Sequence, residues 1–130
     1  MSGSRTELEQ LVRRYFSGVD TQDLGEIFAT LAQDCIFTVE THQIELRGRD
    51  RIAQMFYRLW ANHTSVRHDR FSFVTDVAND RIAVQFRVTN TLPDGSLVHK
   101  SNCNFFAVTH GLFTSVNVYM AGKNTLDAPD

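Results

Sequence analysis

Apolar residues at Leu8, Leu11, Val12, Tyr15, Phe16 and Val19 recur at intervals of three and four, the spacing that paints one face of an α-helix. Thr6, followed three residues later by Glu9, reads as a capping box at the start of this helix and leaves residues 1–5 as a flexible tail. Leu24, Ile27, Phe28 and Leu31 repeat the pattern for a shorter second helix, with Asp20 or Thr21 as its cap and Gln33-Asp34 as its end. The runs 35–40 and 44–47 are β-branched and aromatic across a short gap, which predicts a hairpin. Gly48 opens a third helix with Ile52, Met55, Phe56, Leu59 and Trp60 on one stripe, closed by Asn62-His63-Thr64-Ser65. Four longer strand-like segments follow at 66–77, 81–91, 97–109 and 112–121, separated by Ala78-Asn79-Asp80, Pro93-Asp94-Gly95 and His110-Gly111. Helices gathered first and adjacent strands gathered last predict an α+β fold, three N-terminal helices on one face of a mostly antiparallel sheet. The domain is read as 6–122, with 123–130 as a C-terminal tail.

The strand faces add an expectation about assembly. In 81–91, Ile82, Val84, Phe86 and Val88 share one face, which is core. In 97–109, Val98, Asn102, Asn104, Phe106 and Val108 share one face, and Leu97, His99, Cys103, Phe105 and Ala107 the other, so both faces carry apolar groups. With helices for only one face, a second copy of the chain is the natural cover for the other. A homodimer through the sheet is expected, burying Phe71, Phe105 or Phe113 on its outer side.

Composition narrows the function classes. The 130 residues, 42% of them hydrophobic, suit one compact domain with its own core. Thirteen Lys and Arg against fifteen Asp and Glu give a net charge of -2, which disfavours nucleic acid as a partner. No apolar run approaches the roughly 20 residues that cross a bilayer, and the first ten residues lack the apolar stretch of a secretory signal. No membrane association and a cytoplasmic location are the resulting expectations. Cys35 and Cys103 each sit in a strand-like segment and are read as free thiols.

The chemistry is polar groups set among apolar ones. No phosphate-binding glycine loop, nucleophile elbow, HExxH or CxxC occurs, so neither a metal nor a cofactor is expected. Tyr15 lies on an apolar helical stripe, where its hydroxyl bonds either a core carbonyl or a ligand oxygen. Asp20 is placed to cap the second helix or to act on a neighbour. His68 starts the first long strand among charged residues, as a surface group or as a proton-transfer group. Asn102 and Asn104 point where hydrophobes would pack better, the mark of a polar network or a polar cavity kept apolar elsewhere by Val98, Phe106 and Val108. Glu40 and His99 complete the set. His42, His63 and His110 are expected in solvent; Phe56 and Trp60 are core or substrate platform; Arg87 and Lys100 are rim charges or contacts for an anionic substrate.

Three helices, a short hairpin and a long meander, with Arg14-Tyr15, Asp23-Leu24, a strand from Cys35, Arg47-Gly48 and Val118-Tyr119-Met120-Ala121, resemble the nuclear transport factor two-like superfamily over residues 6 to 122. Within it the chain is similar to ketosteroid isomerases, scytalone dehydratase and SnoaL-like polyketide cyclases. The resemblance implies a strongly curved sheet forming a cone around an internal pocket, and a dimer. It places the isomerase oxyanion-donating tyrosine at Tyr15 and the second oxyanion donor at Asn104, but puts Val39 where the general-base aspartate stands. Glu40, next along, would face the other way. The dehydratase aspartate, histidine and asparagine match Asp20, His68 and Asn102, while its second histidine has no counterpart in 81–91.

The reading that follows is a small-molecule pocket, with cofactor-free proton transfer by an isomerase, dehydratase or cyclase on a mostly apolar, oxygen-bearing substrate. His68, Asp20 and Tyr15 would be catalytic, and Asn102, Asn104, Val39, Phe56 and Trp60 would bind substrate. A non-catalytic ligand-binding or protein-interaction module of the same fold is the alternative.

Overall fold

The computed structural model describes residues 3–126; residues 1, 2 and 127–130 of the two expected tails lie outside the described residues. The first helix, α1 (Arg5–Asp20), starts ahead of Thr6. The Ser4 hydroxyl accepts from the Glu7 N–H at 3.1 Å and the Glu7 carboxylate accepts from the Ser4 N–H at 3.0 Å. Two boxes with the same spacing overlap in this stretch, and the earlier one is used. The second helix, α2 (Leu24–Phe28), is capped by Asp23, whose side chain accepts from the Glu26 N–H at 3.1 Å, and not by Asp20 or Thr21. It is also shorter than its apolar spacing suggests. Leu31 belongs to β1 (Leu31–Val39), where it pairs with Phe113 and is fully buried, so strand pairing overrides the local helical period.

A 3₁₀ turn at Glu40–His42 joins β1 to β2 (Ile44–Arg47) as the expected hairpin. Then come α3 (Arg49–Asn62), β3 (Ser65–Asp76), β4 (Arg81–Thr91), β5 (Leu97–Thr109) and β6 (Leu112–Tyr119). The sheet order is β2-β1-β6-β5-β4-β3; β1 and β6 run parallel and the other neighbours antiparallel. The sheet is mixed, curled and unclosed, with the helices on its concave side, an α+β cone.

One irregularity controls what faces inward. Between Asp69 and Ser72 the β3–β4 register shifts, and Arg70 takes a left-handed backbone with φ 56°. Before this bulge the even residues Val66 and His68 turn inward; after it the odd residues Phe71 and Phe73 do, while Val74 is exposed. Strict alternation would have set Phe71 on the face opposite His68. Instead both rings meet Phe16 of α1, Phe71 stacked at 5.2 Å and His68 at 4.7 Å between centroids.

The core between helices and sheet is aromatic, with Phe37, Phe56, Phe106 and Phe113 fully buried. Each such side chain contributes about 1.5–3 kcal/mol by leaving water. Phe113 and Phe71 are thus inner residues, which corrects their expected place on the outer side. Val74, Leu97, Phe105 and Tyr119 are the large apolar residues exposed on or beside the outer face. Among the described residues no helix is long and apolar enough to cross a membrane.

Candidate active site

The C-terminal end of α1 and the start of β3 meet at Asp20 and His68. Capping of α2 by Asp23 leaves the Asp20 carboxylate to another partner. Gly18 permits this junction, since a Cβ there would lie 2.8 Å from Ile27 Cγ1 and 3.0 Å from the Ile27 backbone nitrogen. One carboxylate oxygen of Asp20 accepts from the His68 backbone N–H at 2.9 Å, and the other lies 2.5 Å from His68 Nδ1. A carboxylate beside Nδ1 favours the tautomer with its proton on that nitrogen, in which Nε2 carries the lone pair. Phe16 and Phe86 flank the ring and set its plane.

His68 lines a cavity of about 40 Å³ together with Tyr15, Asn90, Asn102 and Asn104, and apolar side chains that include Phe16, Phe56, Phe86, Val88 and Met120. Tyr15, His68, Asn102 and Asn104, from α1, β3 and β5, therefore share one site with Asp20 behind the histidine. Tyr15 is 3% exposed, packed edge-on against Phe16, Phe106 and Phe113. Burial pushes its hydroxyl well above the ordinary phenol range, so it is a hydrogen-bond donor and not a phenolate. Asn104 is 2% exposed, and its Oδ1 accepts no hydrogen bond from the described residues. Such an amide costs about 1–3 kcal/mol unless water or a ligand bonds it. Asn102 differs, because its Oδ1 accepts from the Ala121 N–H at 3.0 Å and its Nδ2 is the group left to offer.

Other expected residues lie elsewhere. Phe56 lines the cavity, but Val39 and Trp60 are not among its lining residues. Val39 is buried on the inner face of β1, and Trp60 donates from Nε1 to the Val19 carbonyl at 3.0 Å, tying α3 to the end of α1. Glu40 is exposed at the 3₁₀ turn, and His99 is exposed beside Thr89. The lining is closed by Val19, Phe37, Leu59, Val66 and Val118, and not by Val98, Phe106 or Val108. His63, expected in solvent, is buried with Nδ1 2.8 Å from the Leu59 carbonyl. Lys100, expected at a rim, is 7% exposed and bonds backbone carbonyls. Burial raises the thiol pKa of both cysteines, that of Cys35 to about 12 with Asp34 adding to the shift. Among the described residues no group of three or more His, Cys, Asp and Glu is placed to hold a metal ion.

Sequence reasoning missed Thr125 and Leu126, which line the cavity although they were read as tail. The signal available was the Thr125-Leu126 pair itself, an apolar step after a polar loop, too short to be told from chance.

A family profile described as SnoaL-like domain matches residues 12–116. No curated protein matches the chain. Among solved structures, a candidate polyketide cyclase from Xanthomonas campestris pv. campestris superposes with TM-score 0.81 at 19% identity, covering 88% of this chain and 90% of that one. PrhC from Penicillium brasilianum gives TM-score 0.82 at 14% identity over 92% of this chain and 83% of its own. TerC, co-crystallised with polyporic acid, gives TM-score 0.77 at 13% identity over 86% and 89%.

Proposed function

The chain belongs to the SnoaL-like domain family, and from that premise we propose that its cone binds a small, mostly apolar, oxygen-bearing molecule and moves a proton on it without a cofactor. The observation that carries the reading is that His68, held by Asp20, lines the same cavity as Tyr15 and Asn104. TerC, a protein of the same fold, was crystallised with polyporic acid, which supports a small organic ligand for a cone of this kind.

In the proposed reaction His68 Nε2 takes a proton from carbon next to a carbonyl, the electron pair of that C–H bond forms the new C=C bond, and the carbonyl π pair moves to oxygen. The Tyr15 hydroxyl and the side-chain N–H groups of Asn102 and Asn104 donate to the oxygen as it becomes negative. Asp20 holds the tautomer and steadies the imidazolium. The proton on Nε2 then goes to a new carbon for an isomerase, to the departing β-hydroxyl so that water leaves for a dehydratase, or to the alkoxide formed when the enolate carbon attacks a second carbonyl for a cyclase. Val39 in place of an aspartate on β1 and the exposed Glu40 favour His68 as base over any group of that strand.

The test is solvent exchange at the α-carbon of 2-tetralone, a cyclic aromatic ketone, followed by proton NMR in D₂O. The protein should catalyse exchange above buffer, His68→Gln should abolish it with the fold retained, and Tyr15→Phe should slow it by roughly 10²-fold. Binding of 2-naphthol with no exchange of any ketone above buffer would refute catalysis and leave the ligand-binding module. We also infer a homodimer through the outer sheet face, supported by Val74, Phe105 and Tyr119 lying exposed there.

A further inference from the structure

A cavity of about 40 Å³ holds roughly three waters, whereas small-molecule pockets usually measure about 300–1,000 Å³. Part of its wall is the chain after β6. Met120 and Thr125 are buried and Leu126 packs against the core, and all three line the cavity. The side chain holding this segment down is Lys100. It leaves β5 on the inner face, in line with Asn102 and Asn104, and its Nζ donates to the Ala121 carbonyl at 2.8 Å and to the Lys123 carbonyl at 2.6 Å. Gly122 between them has φ 68°, and a Cβ there would sit 3.5 Å from Nζ. At the other end the Met120 N–H donates to Thr41 Oγ1 at 3.3 Å, which fixes the exit from β6.

We propose that residues 120–126 form a strap over the mouth of the cone, that Lys100 is its latch, and that ligand enters and leaves only when the strap lifts. The ammonium reaches the Ala121 and Lys123 carbonyls across a tight turn, so opening must break these charge-assisted bonds together with the contacts of Thr125 and Leu126. The latch also acts on the site. With Ala121 held, its N–H engages Asn102 Oδ1 and turns the Asn102 amide so that Nδ2 is the atom offered to a ligand. Lys100 is thus a positioning residue, working through the strap and through Asn102. Seating of the strap thus sets the Asn102 donor in place.

This inference rests on the cavity being the ligand site, and the experiment separates the two. Trypsin cleavage after Lys123 reports strap opening with no ligand present, and stopped-flow fluorescence of 2-naphthol reports entry. Lys100→Met keeps the aliphatic stem and removes the donors; it should speed cleavage after Lys123, and association of 2-naphthol, by roughly tenfold or more. Cleavage at Arg81 and Arg87 in the sheet should stay as slow as in the wild type. Lys100→Arg should restore most of the protection. Leu126→Ala, which loosens the strap without touching the sheet, should act in the same direction if Lys100→Met fails to fold. Unchanged cleavage after Lys123 in folded Lys100→Met overturns the latch, and faster cleavage with unchanged association in either variant overturns the gate. Failure of every variant to take up 2-naphthol overturns the ligand-site reading and the gate with it.

Discussion

Replacing Asp20 by asparagine removes one charge and keeps the shape, and its effect can be worked from two bonds. The carboxylate accepts from the His68 backbone N–H at 2.9 Å and from Nδ1 at 2.5 Å. An asparagine has one oxygen, which can keep the backbone bond, and must then set its NH₂ against Nδ1. Two donors facing each other force the ring to give up its Nδ1 proton and carry one on Nε2. The base lone pair is thereby moved from Nε2 to Nδ1, against the new amide. A hydrogen bond to a charged group is worth about 1.5–3 kcal/mol, and the Asp20 side chain is 23% exposed, so the low end applies. A loss of about 1.5 kcal/mol lowers the melting temperature of a domain this size by roughly 5–7 °C. The assays are thermal unfolding and long-range nitrogen–proton correlation NMR of the histidine ring, which distinguishes the two tautomers without any substrate. The expected result is Nδ1–H in the wild type, Nε2–H in Asp20→Asn, and exchange of 2-tetralone slowed by about 10²–10⁴-fold. Finding Nε2–H already in the wild type, or the same tautomer and melting point in both, would refute the argument.

Three further outcomes follow from other parts of the structure. Light scattering should report a dimer at micromolar concentration, with Phe105→Arg giving a folded monomer because it plants a charge in the outer apolar patch; a monomeric wild type would reject that interface. Iodoacetamide at pH 8 should modify Cys103 well before Cys35: a thiol raised to about 12 carries almost no thiolate until the pH nears that value, and mass spectrometry of timed samples shows the order. Gly18→Ala forces a methyl against Ile27 Cγ1 and the α2 backbone and should cost about 1–3 kcal/mol, read by urea unfolding; a variant as stable as the wild type would mean that α2 shifts freely.

Much of the architecture was legible from local pattern. The stripe from Leu8 to Val19 and that from Ile52 to Leu59 bury the residues their spacing selects, and the two long strands at 81–91 and 97–109 have the bounds their turn residues mark. Alternation on β5 also put Asn102 and Asn104 on the inner face, because side chains alternate wherever a strand runs regularly. Local pattern failed where a distant partner had the larger say. Leu31 keeps helical spacing with Ile27 and Phe28, yet pairing with Phe113, far along the chain, makes it a strand residue. The bulge at Arg70 reverses inside and outside on β3, which no two-residue period can announce. Asp20 and His68 stand 48 residues apart, and neither neighbourhood states that one carboxylate will grip the other's ring. Lys100 reads as a surface charge until the carbonyls of Ala121 and Lys123 are seen around its ammonium. Periodicity is written residue by residue because helix and strand geometry repeat over two to four positions. Partners for buried polar groups and the volume of a cavity are set by how the elements pack, and only the tertiary structure decides them.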